Sequence, residues 1–185
     1  MMNRLHKKIK QRGFTLIEIM VSLSVFIIIM TVSLGSILSI LEANDKAQTK
    51  KTAMDNLNFA LESMSRTVRF GTNYYCGTTS TNPPPALDCP SGGSSFSIRS
   101  ADGALIVYSL SGGRIMKTVS GTMSPVTSSE ITINRLTFYV FNSAPPSDLG
   151  QPRVLLILSG TVGNKTSTQS TFNLQTLMSQ RKIDI

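Results

Sequence analysis

The chain has 185 residues, with 18 Lys and Arg against ten Asp and Glu, and its single histidine is His6. Residues 1–13 hold five of the basic residues and no acidic one, and the other 13 basic residues are dispersed rather than arranged in the stripe of a nucleic-acid interface. Because no histidine follows His6, Ser-His-Asp or Cys-His catalysis and His-ligated metals are excluded downstream. The carboxylates are dispersed without calcium-loop spacing, which leaves open only a pair that converges in space. Composition therefore predicts no enzyme, no cofactor, no metal site and no nucleic-acid partner.

The first predicted element is an apolar helix. Ile19–Leu41 is an unbroken run of 23 uncharged residues, which is long enough for one membrane span. The basic residues upstream predict that the N-terminus stays cytoplasmic and that the C-terminal bulk lies outside. The alternative is a secretory signal peptide, in which the run would be removed, but residues 38–43 form a poor cleavage site. We therefore expect a retained, single-pass helix.

One carboxylate lies at the start of this apolar segment. Glu18 follows Gly13-Phe14-Thr15-Leu16-Ile17. A charge near the membrane midplane costs roughly 2.5–3.5 kcal/mol on insertion scales, so such a residue is a functional hypothesis by default. On a helix, Glu18 lies one turn from residue 14. We expect it to need a positive partner; the alternative is that it is simply protonated in the membrane.

The helix is predicted to continue beyond the membrane as an amphipathic segment. Apolar residues recur at spacings of three and four at Met54, Leu57, Leu61, Met64 and Val68. No proline or glycine interrupts residues 41–70, and glycine 71 is a natural C-terminal stop. The alternative of a coiled-coil seam covers only two heptads, so we expect the stripe to pack on a sheet.

A loop is predicted over residues 72–95, which are rich in Ser, Thr, Pro and Gly. It contains the two cysteines of the chain, Cys76 and Cys89. Two cysteines in an exported chain predict a disulfide, and two free thiols are the alternative. The exposed part of the loop, Thr78–Pro90, is the segment best suited to recognition, although such loops are usually tolerated insertions.

Strands are predicted after residue 95, and two pairs of them are joined by short glycine-bearing turns. Together they predict one antiparallel sheet packed against the amphipathic helix, an α+β fold. The six predicted strands are Phe96–Arg99, Leu105–Leu110, Arg114–Val119, Ile131–Asn142, Arg153–Val162 and Thr166–Leu177.

The basic leader, Gly13, Phe14, the apolar run and Glu18 together resemble the cleavage and methylation signature of the type IV pilin family, which includes the pseudopilins of type II secretion. The resemblance implies a pilin-like ladle, with a long N-terminal helix, its first half transmembrane, on an antiparallel sheet. It implies that prepilin peptidase cuts after Gly13, that Phe14 becomes the N-methylated terminus, and that Glu18 is the buried assembly carboxylate. The expected parts are a cleaved leader (1–13), a transmembrane and filament-core helix (14–41), an amphipathic head helix (42–71), a cysteine loop (72–95) and a sheet (96–185).

Two further segments, Leu61–Arg69 and Phe172–Leu177, are similar to minor pseudopilins of the J type and their pilus counterparts. Gly35 stands where many major pilins have a proline. The resemblance implies a minor subunit of a type II secretion pseudopilus or a type IV pilus, acting at the tip or in initiation. Its partners would be prepilin peptidase, other pilins and the inner-membrane assembly platform, with the head on the periplasmic or extracellular side. The alternative is a binding module of a pilus, either an adhesin or a DNA-uptake minor pilin.

Overall fold

The structure is a computed structural model that describes residues 13–144, 150–163 and 169–181. One helix precedes all the strands, which confirms the predicted α+β class. The chain separates into two compact units, Met1–Ala43 and Asn44–Ile185. The elements are α1 (Leu16–Phe70), β1 (Thr72–Tyr75), β2 (Cys89–Gly93), β3 (Ser95–Arg99), β4 (Leu105–Ser111), β5 (Arg114–Val119), β6 (Thr122–Pro125), β7 (Ile131–Phe141), β8 (Arg153–Val162) and β9 (Ser170–Ser179).

In the N-terminal unit, the helix exposes its apolar side chains on every face. By length and composition, α1 is the one helix of the described chain that could cross a membrane, and none of its apolar window is buried. Five hydroxyls bond back to carbonyls of the preceding turn, at distances from 2.5 to 3.1 Å: Ser22, Ser24, Thr31, Ser33 and Ser36. These bonds satisfy the polar groups within the helix itself, as a lipid environment requires.

In the C-terminal unit, the part of α1 beyond residue 43 buries the predicted apolar stripe. Its buried residues are Ala53, Leu57, Ala60, Leu61, Met64 and Val68. All of them except Ala60 belong to the core cluster formed with the strands. The hydroxyl of buried Tyr108 on β4 donates to Thr67 Oγ1 (3.2 Å), and burial raises the pKa of this phenol, so it remains a neutral donor. The stripe therefore packs on the sheets, as predicted, rather than forming a coiled-coil seam.

The strands form two antiparallel sheets, so the prediction of one sheet was wrong. The first sheet has the order β1-β3-β4-β5-β6 and the second has the order β2-β7-β8-β9. The prediction of a loop over residues 72–95 also missed β1 and β2, and β6 was missed as well. These strands have four or five residues and contain proline, glycine or asparagine, so their pairing with β3, β7 and β5 is decided by tertiary contacts rather than by local pattern.

Aromatic rings join the two sheets in the core. Phe96 on β3 stacks on Phe138 of β7, with ring centroids 5.3 Å apart. Tyr74 on β1 also contacts Phe96, with ring centroids 5.9 Å apart. All three side chains are almost completely buried. A row of offset aromatic contacts therefore spans the boundary between the sheets.

The C-terminal end of α1 is capped by residues from distant parts of the chain. The Tyr74 hydroxyl lies 2.7 Å from the Val68 carbonyl oxygen, and the Arg181 backbone N–H donates to the Arg69 carbonyl (2.8 Å). Gln180 Nε2 donates to the carbonyl of Gly71 (3.0 Å). The last carbonyls of a helix have no intrahelical partner, so β1 and the residues after β9 together complete the helix end.

A disulfide between Cys76 and Cys89 links the end of β1 to the start of β2, with a Cα–Cα distance of 6.1 Å. Because β1 and β2 belong to different sheets, the predicted disulfide is a cross-link between the sheets. Next to it, Asp88 accepts hydrogen bonds from the backbone N–H groups of Asn142, Ser143 and Ala144 (2.6–3.1 Å). The start of β2 is thus fixed both to β1 and to the end of β7.

We predict that Gly71→Ala lowers the stability of the C-terminal unit by about 1–3 kcal/mol, the usual cost of overpacking. A Cβ at this position would meet Ile98 and would lie only 2.8 Å from the Arg99 carbonyl oxygen, which is held in the sheet. Chemical denaturation of the full chain in detergent measures the change. The matched control is Gly35→Ala, where a Cβ meets nothing within 4 Å. Equal stability of both variants would contradict this packing.

We also predict that the Cys76→Ala/Cys89→Ala double variant folds but loses about 3 kcal/mol, as the chain-entropy model gives for a loop of this size. Non-reducing peptide mapping of the wild-type protein should recover the two cysteine peptides linked. The double variant should also become insensitive to reductant in the same denaturation experiment. Freely alkylated thiols in freshly isolated wild-type protein would contradict the cross-link.

Candidate functional site

The candidate site is the start of α1, where the residues of the cleavage and methylation signature lie. The helix begins at Leu16, two residues later than the predicted boundary at Phe14. Thr15 is the N-cap: its Oγ1 accepts a hydrogen bond from the Glu18 backbone N–H (3.3 Å), and its carbonyl accepts one from Ile19 N–H (3.3 Å). Thr15 and Glu18 have the T-x-x-E spacing of a capping box, and this interaction is its first half. Thr15 therefore fixes where the helix starts.

Gly13 and Phe14 precede the cap in irregular backbone. Both residues are exposed, and Phe14 retains 79% of its accessible surface. An enzyme can bind a peptide bond outside regular structure without first breaking helix hydrogen bonds. The Gly13–Phe14 bond is accordingly an accessible linkage directly before a capped helix.

Glu18 lies in the first turn of α1, where a negative charge is favoured by the helix dipole. Its neighbours along the same face are apolar apart from Ser22, and that hydroxyl donates to the Glu18 carbonyl (2.5 Å). Within residues 13–144, 150–163 and 169–181, no group bonds to the Glu18 carboxylate. The face around it consists of Ile17, Val21, Ser22, Val25, Phe26 and Ile29. The carboxylate is therefore a charged acceptor, without a described partner, on a mostly apolar surface.

The helix passes through Gly35 without interruption, since residues 16–70 form one continuous α-helix. No side chain approaches the position that a Cβ would occupy at Gly35. The helix is therefore regular at Gly35, the position where many major pilins have a proline.

The cysteine loop forms a second candidate, and it is partly tied down. Asn82 Nδ2 donates to the Gly103 carbonyl at the β3–β4 turn (3.0 Å). Thr79, Ser80 and Asn82 line a shallow surface pocket together with residues of β4 and β5. The loop therefore lies against the outer face of the first sheet, and its described contacts are those of a packed surface segment.

Sequence reasoning did not identify Thr15 as a helix cap or Asp88 as an anchor for the end of β7. The first could have been found, because T-x-x-E before an apolar run is a helix-start pattern. The second depends on tertiary contact over 54 to 56 residues and has no local signal. In the described parts of the chain, no three His, Cys, Asp or Glu side chains come together in a way that could hold a metal ion.

Residues 8–34 match the family model of the prokaryotic N-terminal methylation motif. The match includes Gly13, Phe14, Thr15 and Glu18 together with residues 19–34 of the apolar run. No curated protein and no solved structure gave a significant match to the chain. The motif covers the N-terminal part alone, while the helix-then-sheet order extends over the rest. The motif at the N-terminus and the helix-then-sheet order are both those of type IV pilin-like proteins.

Proposed function

We propose that this protein is a minor pilin or pseudopilin, a structural subunit rather than an enzyme. The first half of α1 would hold it in the inner membrane as a single-pass protein, with the head on the periplasmic or extracellular side. Prepilin peptidase would cleave it, and the assembly platform would insert it with other pilins into a type II secretion pseudopilus or a type IV pilus, at the tip or in initiation. The observation that carries the proposal is the motif match over residues 8–34, centred on a carboxylate in an apolar helix.

Cleavage after Gly13 would change the charge next to Glu18. In the uncut chain the Phe14 nitrogen is a neutral amide, whereas hydrolysis of the Gly13–Phe14 bond converts it into a cationic amine. N-methylation keeps that amine basic. The leader also carries five basic residues, so its removal takes away the charge that favours the cytoplasmic side. Processing would therefore give the helix start a single positive group, one turn from its single carboxylate.

The partner of Glu18 would then be the Phe14 amine, either its own or that of a neighbouring subunit. An unpaired charge in an apolar environment is costly, and an oppositely charged group restores much of the lost solvation. When a subunit enters a filament through apolar helices, the most favourable position is the one in which the Glu18 carboxylate and the Phe14 amine are in contact. This pairing would give the assembly its register, because the rest of the exposed surface over residues 16–41 carries no charge and five of its hydroxyls are bonded within the helix.

The minor role is supported by the similarity of Leu61–Arg69 and Phe172–Leu177 to J-type pseudopilins and their pilus counterparts. Both segments belong to the core of the C-terminal unit: Leu61, Met64 and Val68 are buried on α1, and Phe172 is buried on β9. The similarity thus concerns residues that pack the helix against a sheet, which supports a common head architecture.

We predict that Gly13→Asp nearly abolishes leader removal and that Gly13→Ala reduces it. A membrane peptidase that holds an extended segment needs a small residue directly before the bond, and the aspartate adds both bulk and charge. Pulse-chase labelling and the mass of the product give the cleaved fraction. The matched control is Gly35→Ala, which makes the same Gly-to-Ala change away from the bond, where a Cβ meets nothing within 4 Å. A product cut downstream of Ser36 would contradict the proposed site.

We predict that Glu18→Ala leaves cleavage and membrane insertion intact but lowers incorporation into filaments, on the order of tenfold or more, because the loss of a desolvated charge pair exceeds 1.4 kcal/mol. Glu18→Asp, which keeps the charge on a shorter side chain, should be milder. Ser22→Ala is the matched control on the same helix face. Co-purification with assembled filaments or with partner minor subunits measures incorporation. Undiminished incorporation of the alanine variant would show that Glu18 does not determine assembly.

A further inference from the structure

The four sheet edges of the described chain differ in how well they could accept another strand. β1 and β6 have four residues each and β2 has five, and proline occurs in β2 (Pro90) and in β6 (Pro125). The edge strand β9 has ten residues, STFNLQTLMS, with no proline, glycine or charge. Short length, proline and charge are the usual protections of a sheet edge. β9 has none of them.

The hydrogen-bonding direction of β9 follows from its register. The Gln180 N–H donates to the Pro152 carbonyl (2.9 Å), so residue 180 faces β8. Because this direction alternates along an antiparallel strand, the even-numbered residues of β9 face β8 and the odd-numbered residues face away. The next residue follows this alternation, because the Arg181 N–H donates to the Arg69 carbonyl and not to β8. The backbone groups that point outward belong to Thr171, Asn173, Gln175, Leu177 and Ser179.

The side chains of these same odd-numbered residues are exposed on the outer face of the second sheet. Leu177 is 60% exposed, and it ends a row across the sheet, Tyr139–Leu155–Leu177, set by the pairing of β7, β8 and β9. Tyr139 and Leu155 are half-buried. An apolar row therefore runs to the edge and stops at an exposed leucine, so an apolar residue on an added strand would extend it.

We propose that the edge of β9 binds an extended strand of a neighbouring, different pilin-like subunit, which adds a fifth strand to the second sheet. This inference rests on the proposed function, because it takes the occupant from the same filament. The outward N–H and C=O groups of five residues require an extended polypeptide, since only a strand offers both groups at the same repeat. The occupant would place an apolar residue beside Leu177.

Charge further restricts the occupant. Strands β7, β8 and β9 contribute Arg135 and Arg153 to the outer face and no acidic residue. The bound strand is therefore uncharged or acidic. A second copy of this chain offers one unprotected edge, another β9, and antiparallel β9–β9 pairing requires a two-fold axis normal to the sheet. That axis would make the head helices of the two copies antiparallel. Copies anchored in one membrane through the same helix have parallel helices, so β9–β9 pairing does not fit them.

The test is photo-crosslinking in the cells that make the protein, with p-benzoylphenylalanine at Leu177 of the full chain. The matched control carries the crosslinker at Met123, which is 54% exposed on the edge strand β6. We expect an adduct with a different pilin-like subunit, identified by mass spectrometry, from position 177 and not from position 123. An adduct with a second copy, an adduct with a protein of another class, or equal yields at both positions would overturn the proposal.

A second substitution in the Leu177 crosslinking chain tests the backbone contact. Gln175→Pro removes an outward N–H and leaves the bonds to β8 intact, as proline permits on an edge strand. It should lower the adduct about tenfold while cleavage and thermal unfolding stay unchanged, and Gln175→Ala, which retains the N–H, should not lower it. If the proline variant is correctly cleaved but its adduct persists, strand addition is overturned and the proposed function is not. Failure of wild-type leader removal would overturn the proposed function, and this inference with it.

Discussion

The structure depends on one helix that has to satisfy two different environments. Over residues 16–41 its apolar side chains are exposed on all sides, and five hydroxyls are bonded to its own carbonyls, so little remains for water to solvate. Beyond residue 43 the same helix buries a single stripe, from Ala53 to Val68, against two sheets. The one charged side chain in this first part, over residues 16–41, is Glu18. The proposed pairing of this carboxylate with a positive group would connect the helix to processing, because cleavage after Gly13 would create an amine one turn away.

The head is closed by contacts between residues far apart in the chain. The carbonyls at the end of α1 are capped by Tyr74, by Gln180 and by the Arg181 N–H, so the helix end is complete only when β9 is in place. The two sheets are joined by the stacking of Phe96 on Phe138 and by the disulfide between β1 and β2. The cysteine loop is thus part of the head framework, which explains why a segment with a turn-like composition contains a cross-link. Beside this framework, β9 is an edge strand that pairs with β8 alone among the described strands.

The sequence predicts those parts of the fold that have a strong local period. The apolar stripe on α1 and the six longer strands follow from spacings of 3.6 and two residues, and the structure has them within a few residues; the start of the sixth, at Thr166, lies outside the described residues. The division into two sheets could not be predicted, because β1 and β2 are recognised only through their pairing with β3 and β7. At the candidate site, Gly13, Phe14 and Glu18 were assigned through the resemblance to the pilin signature, and their roles stay predictions. The cap at Thr15 was not predicted, although T-x-x-E before an apolar run is a local helix-start pattern.

The central claim is that this chain is a processed pilin-like subunit, and intact-mass measurement of the wild-type protein, isolated from the membrane or filament fraction, tests it most directly. The account predicts a protein that lacks residues 1–13, begins at Phe14 and carries one additional methyl group on its terminal amine. Fragmentation from the N-terminus should assign that group to Phe14. A protein that still begins at Met1, or one cut beyond the apolar segment, would contradict the account.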